Sequence, residues 1–154
     1  MTQRSETFGR LLKGEEPRPR EVGYFVLANT ARELLRSGIT SVRDVGSFDD
    51  EAIVLRHALD LGLLDGPLLL SCGRILSATS PGGLLFGTMY READGPWELR
   101  KAVREQLRRG ADFIKVMSTG ARSVVRENPE PAQLTRREIR AIVDEAHRLG
   151  IRVA

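Results

Sequence analysis

The chain has 154 residues, of which 41% are hydrophobic and 29% are charged, and its formal net charge is +3. This length predicts one domain and excludes a complete eight-unit β/α barrel, which needs roughly 200 residues or more. Acidic and basic residues are interleaved, and no aromatic residues accompany a basic stripe, so we expect no nucleic-acid partner.

The N-terminal residues predict neither export nor membrane insertion. Residues 1–23 are polar, contain Pro17 and Pro19, and lack an apolar run of signal-peptide length, so we expect a polar arm ahead of a domain over residues 24–154. Cys72 is the single cysteine, which excludes an internal disulfide and favours a reducing, cytoplasmic location. We interpret Cys72 itself as a small buried residue on a strand.

Helical and strand patterns alternate along the chain. Apolar residues at three- and four-residue steps predict helices over residues 25–36, 50–61 and 97–109, and a fourth that begins at the capping box of Thr135 and Glu138 and ends at Gly150. Apolar and β-branched runs predict strands over residues 39–45, 67–76, 111–120 and 151–154. Such alternation predicts an α/β fold with a parallel sheet and right-handed crossovers.

Two long irregular segments follow the second and third predicted strands. Residues 77–95 contain too many glycines and turn formers for a regular element, and residues 121–133 are also irregular. Ligands bind beyond the carboxyl ends of parallel strands. Both segments are therefore predicted to lie on the functional face, with Ser80, Ser118 and Thr119 on the substrate side.

Other residues near the predicted strand ends carry weaker signals. Arg43 and Asp44 end the first strand, where they could contact a substrate or brace a neighbouring loop, and adjacent opposite charges favour the bracing role. Gly82 and Gly83 are weak evidence for a ligand site, because no phosphate-binding pattern surrounds them.

Lys115 is the most informative residue of the chain. Strand alternation puts Phe113, Lys115 and Met117 on one face, with Ile114 and Val116 on the other. A lysine held in an apolar interior is partly neutral and can react with carbon dioxide, and the two oxygens of the resulting carbamate can bridge two divalent cations. The alternative is a lysine that extends to solvent near the strand end, which periodicity alone favours.

Four runs of the sequence together resemble the amidohydrolases. They are GITSVRDVGSFD, GPLLLSCGRILSATSPGG, ELRKAVREQLRRGADFIKVMSTGA and QLTRREIRAIVDEAHRLGIRVA, in this order across residues 24–154. They are similar to the imidazolonepropionase-like and Xaa-Pro dipeptidase-like branch. The resemblance implies a partial (β/α)8 TIM barrel of about three and a half β/α units. It also implies hydrolysis of carbon–nitrogen bonds in dipeptides or cyclic amides, with Lys115 as the carboxylated metal ligand on the fourth barrel strand.

The other metal ligands that the resemblance implies have no counterpart in the sequence. The family's first strand supplies a His-x-His pair, its fifth and sixth strands one histidine each, and its eighth strand an aspartate. The two histidines here, His57 and His147, lie on predicted helices, and we interpret them as surface or helix-packing residues. In a complete enzyme we expect two divalent ions, zinc by the resemblance, and a small-molecule substrate. In this chain alone we expect no cofactor and no catalytic residue.

The alternative is a protein of another class, a non-catalytic β/α half-barrel. An open half-barrel exposes strand edges and apolar interior positions, so it is expected to self-associate or to bind the missing barrel half.

Overall fold

The computed structural model describes residues 20–154, which form an α/β fold with parallel strands. The helices of this part are α1 Arg20–Arg36, α2 Glu51–Asp60, α3 Pro81–Phe86, α4 Gly95–Arg109 and α5 Arg136–Arg148, with a 3-10 turn at Gly87–Met89. The strands are β1 Ser41–Asp44, β2 Leu68–Ser71, β3 Ile75–Ser77, β4 Tyr90–Glu92, β5 Phe113–Ile114 and β6 Arg152–Val153.

The strands pair in parallel, as the alternation predicted. β1 pairs with β2, β3 with β4, and β5 with β6. The Asp112 amide donates to the Ser71 carbonyl oxygen at 2.8 Å, and the Leu76 amide donates to the Lys115 carbonyl oxygen at 2.8 Å. Backbone hydrogen bonds therefore join β1 to β2, join both β2 and β3 to the β5 region, and join β5 to β6. Whether this arrangement amounts to three and a half units of a barrel stays a prediction.

Two apolar clusters pack the helices against one face of these strands. The smaller cluster joins α1 and α2 to β1 and β2, through buried Ala31, Leu55 and Leu69 with Val42 packed against them. The larger joins α4 and α5 to β3 and β5, and its fully buried side chains include Leu76, Leu99, Ile114 and Ile142. Each such side chain stabilises the fold by about 1.5–3 kcal/mol relative to leaving it exposed.

The predicted capping box of the last helix is confirmed. The Thr135 hydroxyl oxygen accepts a hydrogen bond from the Glu138 amide at 3.3 Å, and the Glu138 carboxylate accepts one from the Thr135 amide at 2.7 Å. The other Glu138 oxygen accepts from the Gly95 amide at 2.8 Å, which joins the start of α5 to the start of α4. At its other end α4 stops at Gly110, whose φ of 98° is in the left-handed region.

The first helix begins earlier than predicted. It starts at Arg20 rather than at residue 25, so residues 20–23 of the predicted arm belong to it. The reason is tertiary packing. Gly23 is buried against α2, where a Cβ at this position would lie 2.1 Å from a carboxylate oxygen of Glu51. The rest of the predicted arm, residues 1–19, lies outside the described residues.

The segment around residues 67–95 is more regular than predicted. The single strand predicted over residues 67–76 is divided at Gly73, whose φ of 65° turns the chain between β2 and β3. Residues 77–95, predicted to be irregular, contain α3, the 3-10 turn and β4. These elements are only three to six residues long, so they show no periodicity, and β4 is stabilised by its pairing with β3.

Candidate functional site

The strands present a second face, which points away from the helices. Val42, Leu69 and Ile114 pack towards the helices, so their neighbours on each strand point the other way. We call these neighbours the open face; they are Ser41 and Arg43 on β1, Leu68 and Leu70 on β2, Phe113 on β5, and Lys115 just after β5. Leu68 is 63% exposed and Leu70 is 42% exposed.

Lys115 lies on the open face. Its neighbours Ile114 and Val116 both pack into the cluster beneath α4 and α5, so the lysine between them projects to the opposite side. The side chain is half-buried, and its Nζ donates a hydrogen bond to the Val116 carbonyl oxygen at 3.2 Å. No carboxylate within residues 20–154 forms an ion pair with it. Its amine is therefore not held by an opposite charge in the described part of the chain.

Side chains of β1, β2 and β5 contact one another. The Arg43 guanidinium carbon lies 3.9 Å from the centre of the Phe113 ring. An Asp44 carboxylate oxygen accepts a hydrogen bond from the Ser71 hydroxyl at 3.2 Å. Burial raises the pKa of the Asp44 carboxyl above its ordinary value, against the opposing effect of hydrogen bonds from Ser71 and from the Gly46 amide. These contacts agree with a bracing role for Arg43 and Asp44.

Cys72 lies directly after β2 and is fully buried. Burial, followed by the negative charge of Asp44, raises the pKa of its thiol to about 12, while the charges of Lys115 and Arg43 act in the opposite direction. The thiol is therefore protonated at neutral pH, which excludes a thiolate nucleophile. The interpretation of Cys72 as a small buried residue holds, although it follows the strand rather than lying within it.

The three residues predicted on the substrate side have different contacts. The Ser80 hydroxyl, in the segment after β3, donates to a Glu127 carboxylate oxygen at 2.6 Å. Ser118 lines a groove with Val116 and with apolar residues of α5 and the C-terminal strand, which is the helix side of the sheet rather than the open face. Thr119 forms an isolated antiparallel bridge with Ala132. Ser118 is therefore not brought next to the Lys115 amine.

Glu127 is a residue of this region that the sequence did not single out. Its carboxylate accepts hydrogen bonds from the Ser80 hydroxyl at 2.6 Å, the Gly82 amide at 2.7 Å and the Ala121 amide at 2.6 Å. The bond from Ser80 is the largest cause that lowers the pKa of Glu127 below its ordinary value. Gly82 carried the one available signal, because a Cβ there would lie 2.8 Å from a Glu127 oxygen.

The described residues provide part of a metal site at most. Within residues 20–154 no three His, Cys, Asp or Glu side chains are grouped so that they could hold a metal ion. His57 on α2 and His147 on α5 are both exposed on helices, as predicted. Lys115, with its amine on the open face and without a carboxylate partner there, fits one ligand position of such a site. A complete donor set requires ligands from outside the described residues.

No helix in the described part of the chain is both long enough and apolar enough to cross a lipid bilayer.

The sequence and the fold match a known family and several solved structures. The amidohydrolase family pattern matches residues 2–154. Ochratoxinase from Aspergillus niger is 35% identical over 144 residues, which cover 79% of this chain and 29% of that protein. Its crystal structure matches with a TM-score of 0.77 and 33% identity, over 91% of this chain and 36% of that one.

A Xaa-Pro dipeptidase structure and a prolidase structure are similar to a comparable extent. A Xaa-Pro dipeptidase with methionine bound in its active site matches with a TM-score of 0.80 and 30% identity, over 92% of this chain and 38% of that one. A prolidase complexed with N-methylphosphonate-L-proline matches with a TM-score of 0.76 and 31% identity, over 88% of this chain and 36% of that one. This chain thus spans less than two fifths of the length of these relatives.

Proposed function

Because the chain belongs to the amidohydrolase family, we propose that it is a segment of a metal-dependent hydrolase that acts on carbon–nitrogen bonds. The observation that carries this proposal is the position of Lys115, on the open face between two residues that pack towards the helices, with no carboxylate partner within residues 20–154. The proposed substrates are small molecules of the dipeptide or cyclic amide type. Similarity to a Xaa-Pro dipeptidase and to a prolidase supports the dipeptide class.

The proposed role of Lys115 is that of a carboxylated metal ligand. The unprotonated form of an amine attacks carbon dioxide, a nitrogen–carbon bond forms, and the nitrogen releases a proton, so that the product is an anionic carbamate. The carbamate presents two oxygens towards the open face. Divalent cations held there, which we propose to be two zinc ions in the complete enzyme, would supply Lewis-acid activation of a water molecule.

Other residues of the open face would surround Lys115 without taking part in the reaction. Phe113 precedes Lys115 on the same face, and the Arg43 guanidinium covers its ring. Leu70 lies on the neighbouring strand and adds apolar surface. In a completed barrel these groups would lie beneath the lysine and exclude water from below it. We propose that the isolated chain is inactive, because the described residues supply only one ligand of the set.

Metal content and hydrolysis test the proposal together. Protein expressed from the complete reading frame that contains this chain is expected to bind about two divalent ions and to release amino acid from Xaa-Pro dipeptides. Lys115→Ala should lose both properties, and a short-chain carboxylic acid added to the buffer should restore part of the activity. Lys101→Ala is the matched control, because Lys101 is 73% exposed on α4. A Lys115→Ala variant with full metal content and activity contradicts the proposal.

The exposed leucines of the open face favour a second candidate function. Leu68 and Leu70 are large apolar residues on adjacent same-face positions of β2, and both are exposed in the chain by itself. A non-catalytic half-barrel would cover them by self-association or by binding a partner chain. Sedimentation of the 154-residue chain distinguishes the cases. A stable monomer with no tendency to associate counts against this candidate, and concentration-dependent association that Leu70→Ser weakens supports it.

A further inference from the structure

Glu127 belongs to the segment that follows β5, and its carboxylate also bonds to the segment that follows the neighbouring strand β3. One segment follows β3 and includes Ser80 and Gly82, and the other follows β5 and includes Ala121. The carboxylate oxygen that accepts from the Ser80 hydroxyl also accepts from the Gly82 amide, whereas the other oxygen accepts from the Ala121 amide. One carboxylate therefore bonds to both segments at once.

We propose that Glu127 is a positioning residue of the hydrolase, which joins these two segments into one preformed wall on the substrate side of Lys115. The proposal rests on the proposed function. Unlike Lys115, Glu127 would contact neither metal nor substrate. It would act by holding the Ser80 and Ala121 segments in place.

The space around Glu127 supports this role independently of the hydrogen bonds. A Cβ at Gly82 would lie 2.8 Å from a Glu127 oxygen, and a Cβ at Gly120 would lie 2.7 Å from the Asn128 carbonyl oxygen and 2.9 Å from the Glu127 Cβ. These distances are shorter than real Cβ contacts, so each segment carries a glycine where Glu127 approaches. Neither glycine has a positive φ, so neither is required by its backbone conformation. The glycine at position 82 leaves room for the Glu127 carboxylate, and the glycine at position 120 leaves room for the Asn128 backbone as well as for the Glu127 side chain.

A second carboxylate holds the β3 segment from its other side. A Glu92 oxygen accepts a hydrogen bond from the Ser80 amide at 3.0 Å, and a Cβ at Gly83 would lie 2.2 Å from that oxygen. Glu92 belongs to β4, which pairs with β3. The β3 segment is thus fixed to its own sheet by Glu92 and to the β5 segment by Glu127. Loss of Glu127 alone should release the connection between segments without unfolding either strand.

The strands from which the two segments extend are hydrogen-bonded to each other at Lys115. The Leu76 amide donates to the Lys115 carbonyl oxygen at 2.8 Å, and the Met117 amide donates to the Leu76 carbonyl oxygen at 2.9 Å. These bonds fix the lysine to β3 and do not involve Glu127. Removal of Glu127 is therefore expected to move the two segments while Lys115 keeps its place. Substrate binding should weaken, and metal content should be unchanged.

Hydrogen exchange and kinetics on the protein from the complete reading frame test the proposal. Glu127→Ala removes the bonds from Ser80, Gly82 and Ala121 together with the bond to the Gln133 side chain, so exchange at the Gly82 and Ala121 amides should accelerate by about tenfold or more, which corresponds to about 1.4 kcal/mol for each contact. Glu127→Gln has one carbonyl oxygen, which can keep the Ser80 and Gly82 donors. Its amide group would face the Ala121 amide, so exchange should accelerate at Ala121 only. The matched control is Glu130→Gln, an exposed carboxylate of the same segment.

The kinetic readout separates positioning from a purely structural role. For Xaa-Pro dipeptide hydrolysis, Glu127→Ala should raise KM about tenfold while its metal content stays at the wild-type level, and Glu127→Gln should give an intermediate KM. Unchanged exchange at Gly82 and Ala121 in Glu127→Ala overturns the proposed contact, whatever the activity. Accelerated exchange with unchanged KM overturns the positioning role. Wild-type protein that hydrolyses none of these dipeptides contradicts the proposed function, and with it the effect of Glu127 on substrate binding. In that case the exchange rates at Gly82 and Ala121 still decide whether Glu127 joins the two segments.

Discussion

The two faces of β5 predict opposite effects for substitutions at adjacent residues. Ile114 is fully buried among Leu99, Ile142 and other side chains beneath α4 and α5. Its truncation to alanine leaves a cavity that these helix residues cannot fill without moving. Isoleucine-to-alanine changes at such sites cost about 2–5 kcal/mol, and the fully buried neighbours place Ile114→Ala at about 3–4 kcal/mol. Lys115→Ala removes one hydrogen bond from a half-buried side chain and should cost less than about 1 kcal/mol.

The assay is thermal or urea unfolding of the 154-residue chain, followed by far-UV circular dichroism. For a chain of this size the expected loss in Tm for Ile114→Ala is about 6–16 °C. Ile114→Val is the matched control and should cost about 0.5–1.5 kcal/mol, since it removes one methylene group. If Lys115→Ala destabilises the chain as strongly as Ile114→Ala, the assignment of the two residues to opposite faces is wrong.

Three further predictions concern the packing of α4 and α5. The Glu145 side chain is 2% exposed and accepts hydrogen bonds from Arg104 at 2.6 Å and from Arg148 at 2.5 Å. Because these bonds are charge-assisted, Glu145→Gln should lower the free energy of unfolding by about 2 kcal/mol in urea titrations. Hydrogen bonds from the same two arginines lower the pKa of Glu145 from 4.5 to about 2, so its stabilising contribution is present above pH 4.5 and is lost as the pH falls towards 2. Wild-type protein should therefore lose more stability than Glu145→Gln between these pH values, and parallel curves would contradict the assignment. Thr135→Ala should cost about 1 kcal/mol by loss of the helix cap, whereas Thr135→Ser should be nearly neutral in the same titration.

The predictable parts of the fold are those that local chemistry determines. The capping box of Thr135 and Glu138 lies within four residues, so the start of α5 could be found from the sequence. Strand alternation alone correctly placed Lys115 and Ile114 on opposite faces of the strand. Successive side chains of a strand point to opposite faces, so the burial of Ile114 beneath the helices directs Lys115 away from them. The parallel sheet followed in the same way, from the alternation of helical and strand patterns.

The parts that escaped prediction depend on contacts between distant segments. β4 is three residues long and exists because β3 offers it a parallel partner, so its own sequence carries no strand pattern. Glu127 is a single glutamate in a polar segment, and its importance comes from donors as far away as Ser80. Ser118 was assigned to the substrate side by its place after a strand; the structure places it in a groove with Val116 and residues of α5 and the C-terminal strand, and its substrate role stays a prediction. Neither composition nor spacing encodes the contacts of β4 and of Glu127.

The carbamate on Lys115 is the central claim, and isotope labelling tests it most directly. Protein from the complete reading frame, loaded with zinc and equilibrated with ¹³C-bicarbonate, should show one carbamate carbon resonance by NMR. That resonance should be absent from Lys115→Arg and retained in Lys101→Ala. A metal-loaded wild-type protein without the resonance, or a Lys115→Arg variant that keeps it, would contradict the account.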